Sequence, residues 1–284
     1  MGEDLTGVGL RVGGRTVAEY VVQPEIDPRW SPRPYLHPVR TLGGVPVTDT
    51  LPEDHRWHLG VSVAMQDVSG SNLWGGRTYV RDAGYTWLDD HGRITHDTWH
   101  RRAEDGFAER LLWRDHAGQT LLTEERTVTA EPVAGRDDTW ALEIAYELTA
   151  PADRDIVLGS PATNGRPGGA GYGGFFWRVA PGHSRVLTAT TDGEEQANGS
   201  TEPWLALVGA ETAGSAYTLV FSGLADGDHW FARTGIYPGV CVALAFERTL
   251  PIPAGQAVRR RHRVVVADGA LDREQIAELG ERRG

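Results

Sequence analysis

Along most of the chain, hydrophobic and polar residues alternate in short runs, the pattern of half-buried strands whose side chains point in turn to a core and to water. The clearest run is Trp140-Ala141-Leu142-Glu143-Ile144-Ala145-Tyr146-Glu147-Leu148, with a large apolar side chain at every second position. Leu10-Arg11-Val12 and the run Thr16 to Val22 flank Gly13-Gly14 and predict a hairpin. Phe107 to Trp113 leads into the turn Asp115-His116-Ala117-Gly118, and the run Thr120 to Thr129 follows. Within Ser215 to Phe221, Tyr217, Leu219 and Phe221 share a face. Val240 to Phe246 and Arg259 to Val266 predict two more strands, joined by a turn over Pro251-Ile252-Pro253-Ala254-Gly255. A helix is predicted only at Leu271 to Leu279, where Leu271, Ile276 and Leu279 fall roughly on one side. Many strands at short spacing without intervening helices argue against Rossmann and TIM topologies and predict an all-β sandwich or barrel with a short C-terminal helix.

The 284 residues, 40% hydrophobic and 24% charged, suit a single domain spanning 1–284, with 36 Gly and 16 Pro spread throughout rather than pooled in a linker. Acidic residues outnumber basic ones 39 to 28, and the net charge of −11 disfavours nucleic acid and anionic membranes as partners. The chain contains no lysine, so P-loop, Schiff-base and lysine-base chemistry are excluded. Cys241 is the sole cysteine, which rules out an internal disulfide or a CxxC metal site and predicts an inert core thiol. No run approaches the ~20 apolar residues of a membrane span. Met1-Gly2-Glu3-Asp4 lacks the basic and apolar regions of a signal peptide, and the expected location is cytoplasmic.

Candidate chemistry concentrates between Pro52 and Tyr79. In Asp54-His55-Arg56-Trp57-His58, two histidines three apart converge in a helical turn or an irregular loop and diverge along a strand; Pro52 and Gly60 favour the loop. Such a pair can act as acid and base, or give two nitrogens to a metal with Asp54, His96 or His229 as third ligand. It can equally be a strand end with local hydrogen bonds. Asn72-Leu73-Trp74-Gly75-Gly76-Arg77 joins a flat ring, an amide and a guanidinium, the groups that stack on sugar C–H faces and bond sugar hydroxyls, and it can equally be a glycine hairpin with a buried tryptophan. The glycine-dense segment from Thr163 to Arg178 predicts either a mobile loop over a pocket leading into a strand, from which Asn164, Arg166, Tyr172 and Arg178 reach a ligand, or a plain surface loop. Adjacent Glu124 and Glu125 point to opposite faces, Asp89-Asp90 read as turn residues, and Asp226 to Phe231 reads as a turn with a polar tip.

Tyr35-Leu36-His37-Pro38-Val39-Arg40-Thr41, Asp54-His55-Arg56-Trp57-His58-Leu59-Gly60, Asn72-Leu73-Trp74-Gly75-Gly76 and Val264-Val265-Val266-Ala267-Asp268-Gly269 together resemble the methane oxygenase PmoA-like family of unknown function, over roughly residues 30–270. A methane monooxygenase subunit is a membrane protein, and nothing in this sequence is long and apolar enough to match that label. The resemblance implies instead a large antiparallel β-sandwich, a supersandwich similar to galactose mutarotase, with histidines and a carboxylate in acid–base chemistry at a sugar carbon. On that likeness His55 and His58 match the histidine motif, Asn72 and Trp74 the second block, and Arg77 adjoins it; no glutamate matches the mutarotase catalytic one.

The expectation is a carbohydrate-active enzyme performing epimerisation, elimination or glycoside cleavage on a sugar or keto-sugar. His55, His58 and Arg77 are the expected catalytic residues. Arg40, Asn72, Trp74, Tyr79, Asn164, Tyr172 and Arg178 are the expected substrate-binding ones. The alternatives are a non-catalytic carbohydrate-binding or regulatory module, and a lyase or hydrolase holding a divalent metal on His55, His58 and His229. Otherwise no cofactor is implied, and a homo-oligomer is left open.

Overall fold

Gly13 and Gly14 adopt φ of 57° and 79°, the positive values that a two-residue hairpin turn demands, and the chain reverses there between strands Val8–Val12 and Arg15–Val21. The computed structural model describes residues 7–281, so the Met1-Gly2-Glu3-Asp4 segment read for targeting lies outside the described residues. Two antiparallel sheets dominate. One has seven strands, in the order Val8–Val12, Arg15–Val21, Tyr35–Val39, Val61–Ala64, Gly174–Arg178, Gly239–Ala243 and His229–Arg233. The other has eight, in the order Gly182–Thr188, Trp204–Glu211, Ala216–Ser222, Ala257–Asp268, Thr139–Thr149, Thr120–Pro132, Gly106–Arg114 and Arg93–Ala103.

The alternating run of Thr139–Thr149 buries Trp140, Leu142, Ile144, Tyr146 and Leu148 against the facing sheet, as its period requires. Rings from opposite sheets meet directly: Trp177 stands edge-on to Phe221 at 5.7 Å, and Tyr20 packs on Phe107 at 4.4 Å. This is sandwich packing, with one large apolar cluster drawn from both layers. Between the layers runs a polar seam. Glu124 points inward, where it accepts from Trp113 Nε1 and Arg126 Nε, each at 2.7 Å. Arg126 reaches across to the Tyr20 hydroxyl at 3.1 Å, and that hydroxyl donates to Glu109. Glu125 faces outward, between Arg110 and His100, so the two glutamates do take opposite faces.

Two elements depart from the sequence expectation. The strand at Val240 ends at Ala243 and is not a hairpin partner of Ala257–Asp268, because the two lie in different sheets. The segment expected to be a turn carries a strand, Leu250–Ile252, paired with Ile156–Gly159, which in turn pairs with Asp67–Val68. Ile252 is drawn into the core, and Pro251 is accommodated because this strand lies at an edge, where no partner needs its missing N–H. The C-terminal helix spans Arg273–Glu281 and buries Ile276 and Leu279 in a cluster with Trp204 on the outer face of the eight-stranded sheet. Asp272 and Gln275 close its first turn reciprocally, each side chain accepting the other's backbone N–H. A one-turn helix at Glu194–Ala197 carried no sequence signal. Among the described residues no helix is long and apolar enough to cross a membrane.

Cys241 is fully buried, and burial pushes its thiol up to about 12. His262 is buried too, stacked on Phe175 of the opposite sheet at 5.2 Å. Its Nδ1 donates to the Gly223 carbonyl at 3.0 Å, and its Nε2 accepts the Tyr146 hydroxyl at 3.2 Å. Burial pushes this imidazole down to about 3. An unfolded histidine titrates near about 6.5, so on acidification the unfolded chain takes up its proton first. The stabilisation is complete above about pH 6.5 and is lost as pH falls towards about 3, at about 1.4 kcal/mol per pH unit. Urea unfolding at neutral pH and two units lower should show this group removing about 2 kcal/mol, and His262→Gln should flatten the acid slope by that amount. An identical slope in the variant would remove His262 as its source.

Candidate functional site

Two consecutive tight turns build the histidine loop: His55 N–H donates to Pro52 O at 3.1 Å, and His58 N–H donates to His55 O at 2.8 Å. With three residues per turn, side chains at i and i+3 eclipse, and the rings of His55 and His58 stack at 4.8 Å with their planes 27° apart. Gly60 closes the loop at φ 38°, where a Cβ would sit 2.1 Å from Leu36 O. Both imidazoles face a cleft of about 470 Å³ on the outer side of the seven-stranded sheet, walled by Trp57, Trp74, Tyr172, Phe231 and Tyr237.

The two histidines have different electrostatic settings. Nδ1 of His55 lies 2.8 Å from Asp54 Oδ2, leaving Nε2 as its other functional nitrogen. Partial burial raises the Asp54 carboxyl, but the hydrogen bond and charge of His55 outweigh it and hold the carboxyl below its usual range. His58 is buried among Phe176, Tyr237 and Trp74, with ring centroids 4.9, 4.8 and 5.9 Å away. Burial, helped by the charges of His55, Arg178 and Arg33, pushes it well below the normal histidine range, so it stays neutral. The guanidinium of Arg178 approaches its Nδ1 at 3.4 Å. Arginine can only donate, so Nδ1 accepts and the hydrogen sits on Nε2.

The second loop is set by Asn72. Its Oδ1 accepts from the backbone N–H of Trp74 and Gly75 at 3.0 and 2.8 Å, and its amide donates to Thr78 Oγ1 at 2.9 Å. The Asn72 side chain is thus used up inside the loop and does not line the cleft. Gly76, at φ 73°, passes so close to Trp57 that a Cβ would fall 2.6 Å from the indole. Arg33 joins the two loops. Fully buried, it donates to Trp57 O at 2.9 Å, Trp74 O at 3.0 Å and Ser31 O at 3.1 Å. Burial lowers it to about 9. A hairpin, Thr78–Val80 with Gly84–Thr86, forms one wall. Its Tyr85 hydroxyl bonds the Tyr172 hydroxyl at 2.9 Å and receives a hydrogen bond from Arg166.

Of the expected site residues, His55, His58, Trp74, Arg77, Arg166 and Tyr172 line the cleft. Trp74 is only 1% exposed and forms the floor, whereas Trp87 is 45% exposed at the rim, with the guanidinium groups of Arg29 and Arg77 at 5.7 and 5.9 Å from its ring. Arg178 stands behind His58, with Asp49 3.4 Å away. Tyr79 packs against Tyr85 at 5.4 Å and supports the hairpin rather than facing the cleft. Arg40 lies beyond the end of strand Tyr35–Val39, its carbonyl accepting Trp140 Nε1. Asn164 donates to Asp67 of strand Asp67–Val68 at 3.1 Å and does not line the cleft. His229 stacks on Phe246 at 5.1 Å in a separate hollow, and His96 is engaged with Glu109 on the other sheet.

Neither His229 nor His96 therefore joins the histidine pair, and among the described residues no three of His, Cys, Asp and Glu are placed to hold a metal ion together. The Arg178 charge at His58 Nδ1 makes this donor set a poor fit for a divalent cation. Sequence reading missed Trp57, Tyr85, Trp87, Phe231, Arg233, Ile236 and Tyr237 as lining residues. Ile236-Tyr237 inside a Gly-and-Pro turn, and Tyr85-Thr86-Trp87 beside Gly84, were the available signals: large apolar groups where a turn should be polar.

If Asn72 is a loop bracket, Asn72→Ala strands two buried N–H donors and should lower stability in urea by about 3 kcal/mol. Asn164→Ala, in an outer turn, should cost under about 1 kcal/mol. Equal, small losses in both would contradict the bracket.

No protein of curated function matches this sequence. Among solved structures, a putative aldose 1-epimerase from Escherichia coli K12 is 10% identical, with coverage of 94% of this chain and 99% of that one, and a TM-score of 0.40. A heparan sulfate lyase HepC mutant from Pedobacter heparinus is 8% identical at a TM-score of 0.37, with 95% of this chain aligned to 36% of the lyase. None of these matches bears on the methane-oxygenase likeness of the motif blocks. The match that spans nearly the whole described chain is to a sequence family, over residues 7–281, and the chain belongs to that family, the family of unknown function DUF6807.

Proposed function

We propose that this protein is a carbohydrate-active enzyme on a galactose mutarotase-like sandwich, performing acid–base chemistry on a sugar or keto-sugar. The observation that carries the reading is the asymmetric histidine pair: His55 hydrogen-bonded to Asp54, stacked at 4.8 Å on a buried, neutral His58, in an aromatic-walled cleft.

His55, held by the Asp54 carboxylate through Nδ1, takes a proton at Nε2 from the carbon beside a carbonyl or from an anomeric hydroxyl. The developing oxyanion receives a hydrogen bond from Nε2–H of His58. A neutral imidazole is suited to this role because it donates without first having to lose a charge to solvent. Arg77 adds a positive charge at the same cleft. Trp87 and Tyr85, exposed at the rim with guanidinium groups beside their rings, give the cleft an aromatic edge within reach of a ligand, which the buried Trp74 does not. Epimerisation, elimination and, on a keto-sugar glycoside, eliminative cleavage of the glycosidic bond all begin with such a proton transfer, and the substrate decides among them.

The test is NMR of the protein with aldoses and keto-sugar glycosides in D₂O, reading deuterium incorporation and product. His55→Ala and His58→Ala should each lower turnover by about 10²-fold or more. Because burial holds His58 well below its usual range, the pH–rate profile should show no ionisation from it at the ordinary histidine value of about 6.5. Unchanged turnover in both single variants would remove the assignment. Saturable sugar binding with no product on prolonged incubation would make this a binding module instead.

A further inference from the structure

Three guanidinium groups, Arg77, Arg166 and Arg233, line the cleft against a single carboxylate, Asp54, in a chain whose net charge is −11. Elsewhere on the sheets arginines are matched with acids, as in Arg259 with Glu147, Arg261 with Glu143 and Arg260 with Asp228. In the cleft the matching breaks down. Arg233 has Glu194 at 3.8 Å, but Arg77 and Arg166 have no acidic partner among the described residues. Each instead lies over an aromatic face, Arg77 at 5.9 Å from the Trp87 ring and Arg166 at 4.8 Å from the Tyr85 ring. Behind the floor, the fully buried Arg33 is satisfied only by neutral oxygens, three carbonyls and Ser62 Oγ.

A cleft with low-dielectric aromatic walls and unneutralised arginines focuses a positive field on its contents. Guanidinium groups already seated on rings lose little freedom when they bind, and their planar fork matches a carboxylate or sulfate in two parallel hydrogen bonds. We propose that the cleft takes an anionic sugar, a ring bearing a carboxylate or a sulfate ester, with Arg166 and Arg77 as the anion-recognising residues. This rests on the reading of the cleft as a sugar site and adds the substrate's charge to it.

The test is isothermal titration of the full-length protein with methyl glucuronide and methyl galacturonide, with glucose 6-sulfate, and with the matching neutral methyl hexosides. Binding of an anionic series at least about 10-fold tighter than the neutral one, weakened by sodium chloride, supports the proposal. Whichever series binds tighter, uronide or sulfate, identifies the anion. Arg166→Gln and Arg77→Gln should each narrow the anionic-to-neutral ratio by about 10-fold, while Arg185→Gln, on an exposed edge strand, should leave it unchanged. Neutral sugars binding as tightly, a ratio untouched by both cleft variants, or no binding in any series would overturn it. The readout needs no turnover. Anion preference without product would sink the enzymatic reading alone, and turnover confined to neutral sugars would sink this one alone.

Discussion

The cleft depends on one buried cation. Among the described residues Arg33 has no carboxylate beside it, and its guanidinium is held by the carbonyls of Ser31, Trp57 and Trp74 and by a serine hydroxyl. Desolvating a guanidinium costs several kcal/mol, which carbonyl dipoles arranged around its planar fork can offset. The Trp57 and Trp74 carbonyls belong to two separate loops, one carrying the histidines and the other the tryptophan floor. The same charge that fastens the loops also helps keep His58 neutral. Support of the loops and tuning of the imidazole thus come from a single side chain.

Where a strand has one wet face, period-two alternation made it legible, and Thr139–Thr149 and the Gly13-Gly14 hairpin could be read from residues alone. Gly174–Arg178 shows why the method stops. Phe175 and Trp177 face the opposing sheet, while Phe176 faces the cleft cluster with Ala64, Phe231 and Cys241, so every position is buried and no alternation survives. Edge strand Leu250–Ile252 was hidden by its prolines, which suit an edge as well as a turn.

The candidate site was half legible for a related reason. The His-x-x-His spacing carried its own geometry once the loop wound in tight turns. Asn72 carried chemistry that suits a ligand and a loop bracket equally, and only its hydrogen bonds separate the two. Rim residues such as Trp87, Ile236 and Tyr237 come from segments remote from the motif, brought together by sheet order, which no local pattern encodes.

Cys241 lies in the apolar cluster beneath the cleft, fully enclosed and with a thiol that stays protonated at neutral pH. Thiolate is the reactive form, so maleimide and iodoacetamide reagents find no target on the folded described chain. The natural protein thus behaves as a ready-made cysteine-free background. A cysteine placed at Ile236, 74% exposed on the rim, becomes a single addressable point for a fluorophore. Occupancy of the cleft can then be followed optically without first rebuilding the core.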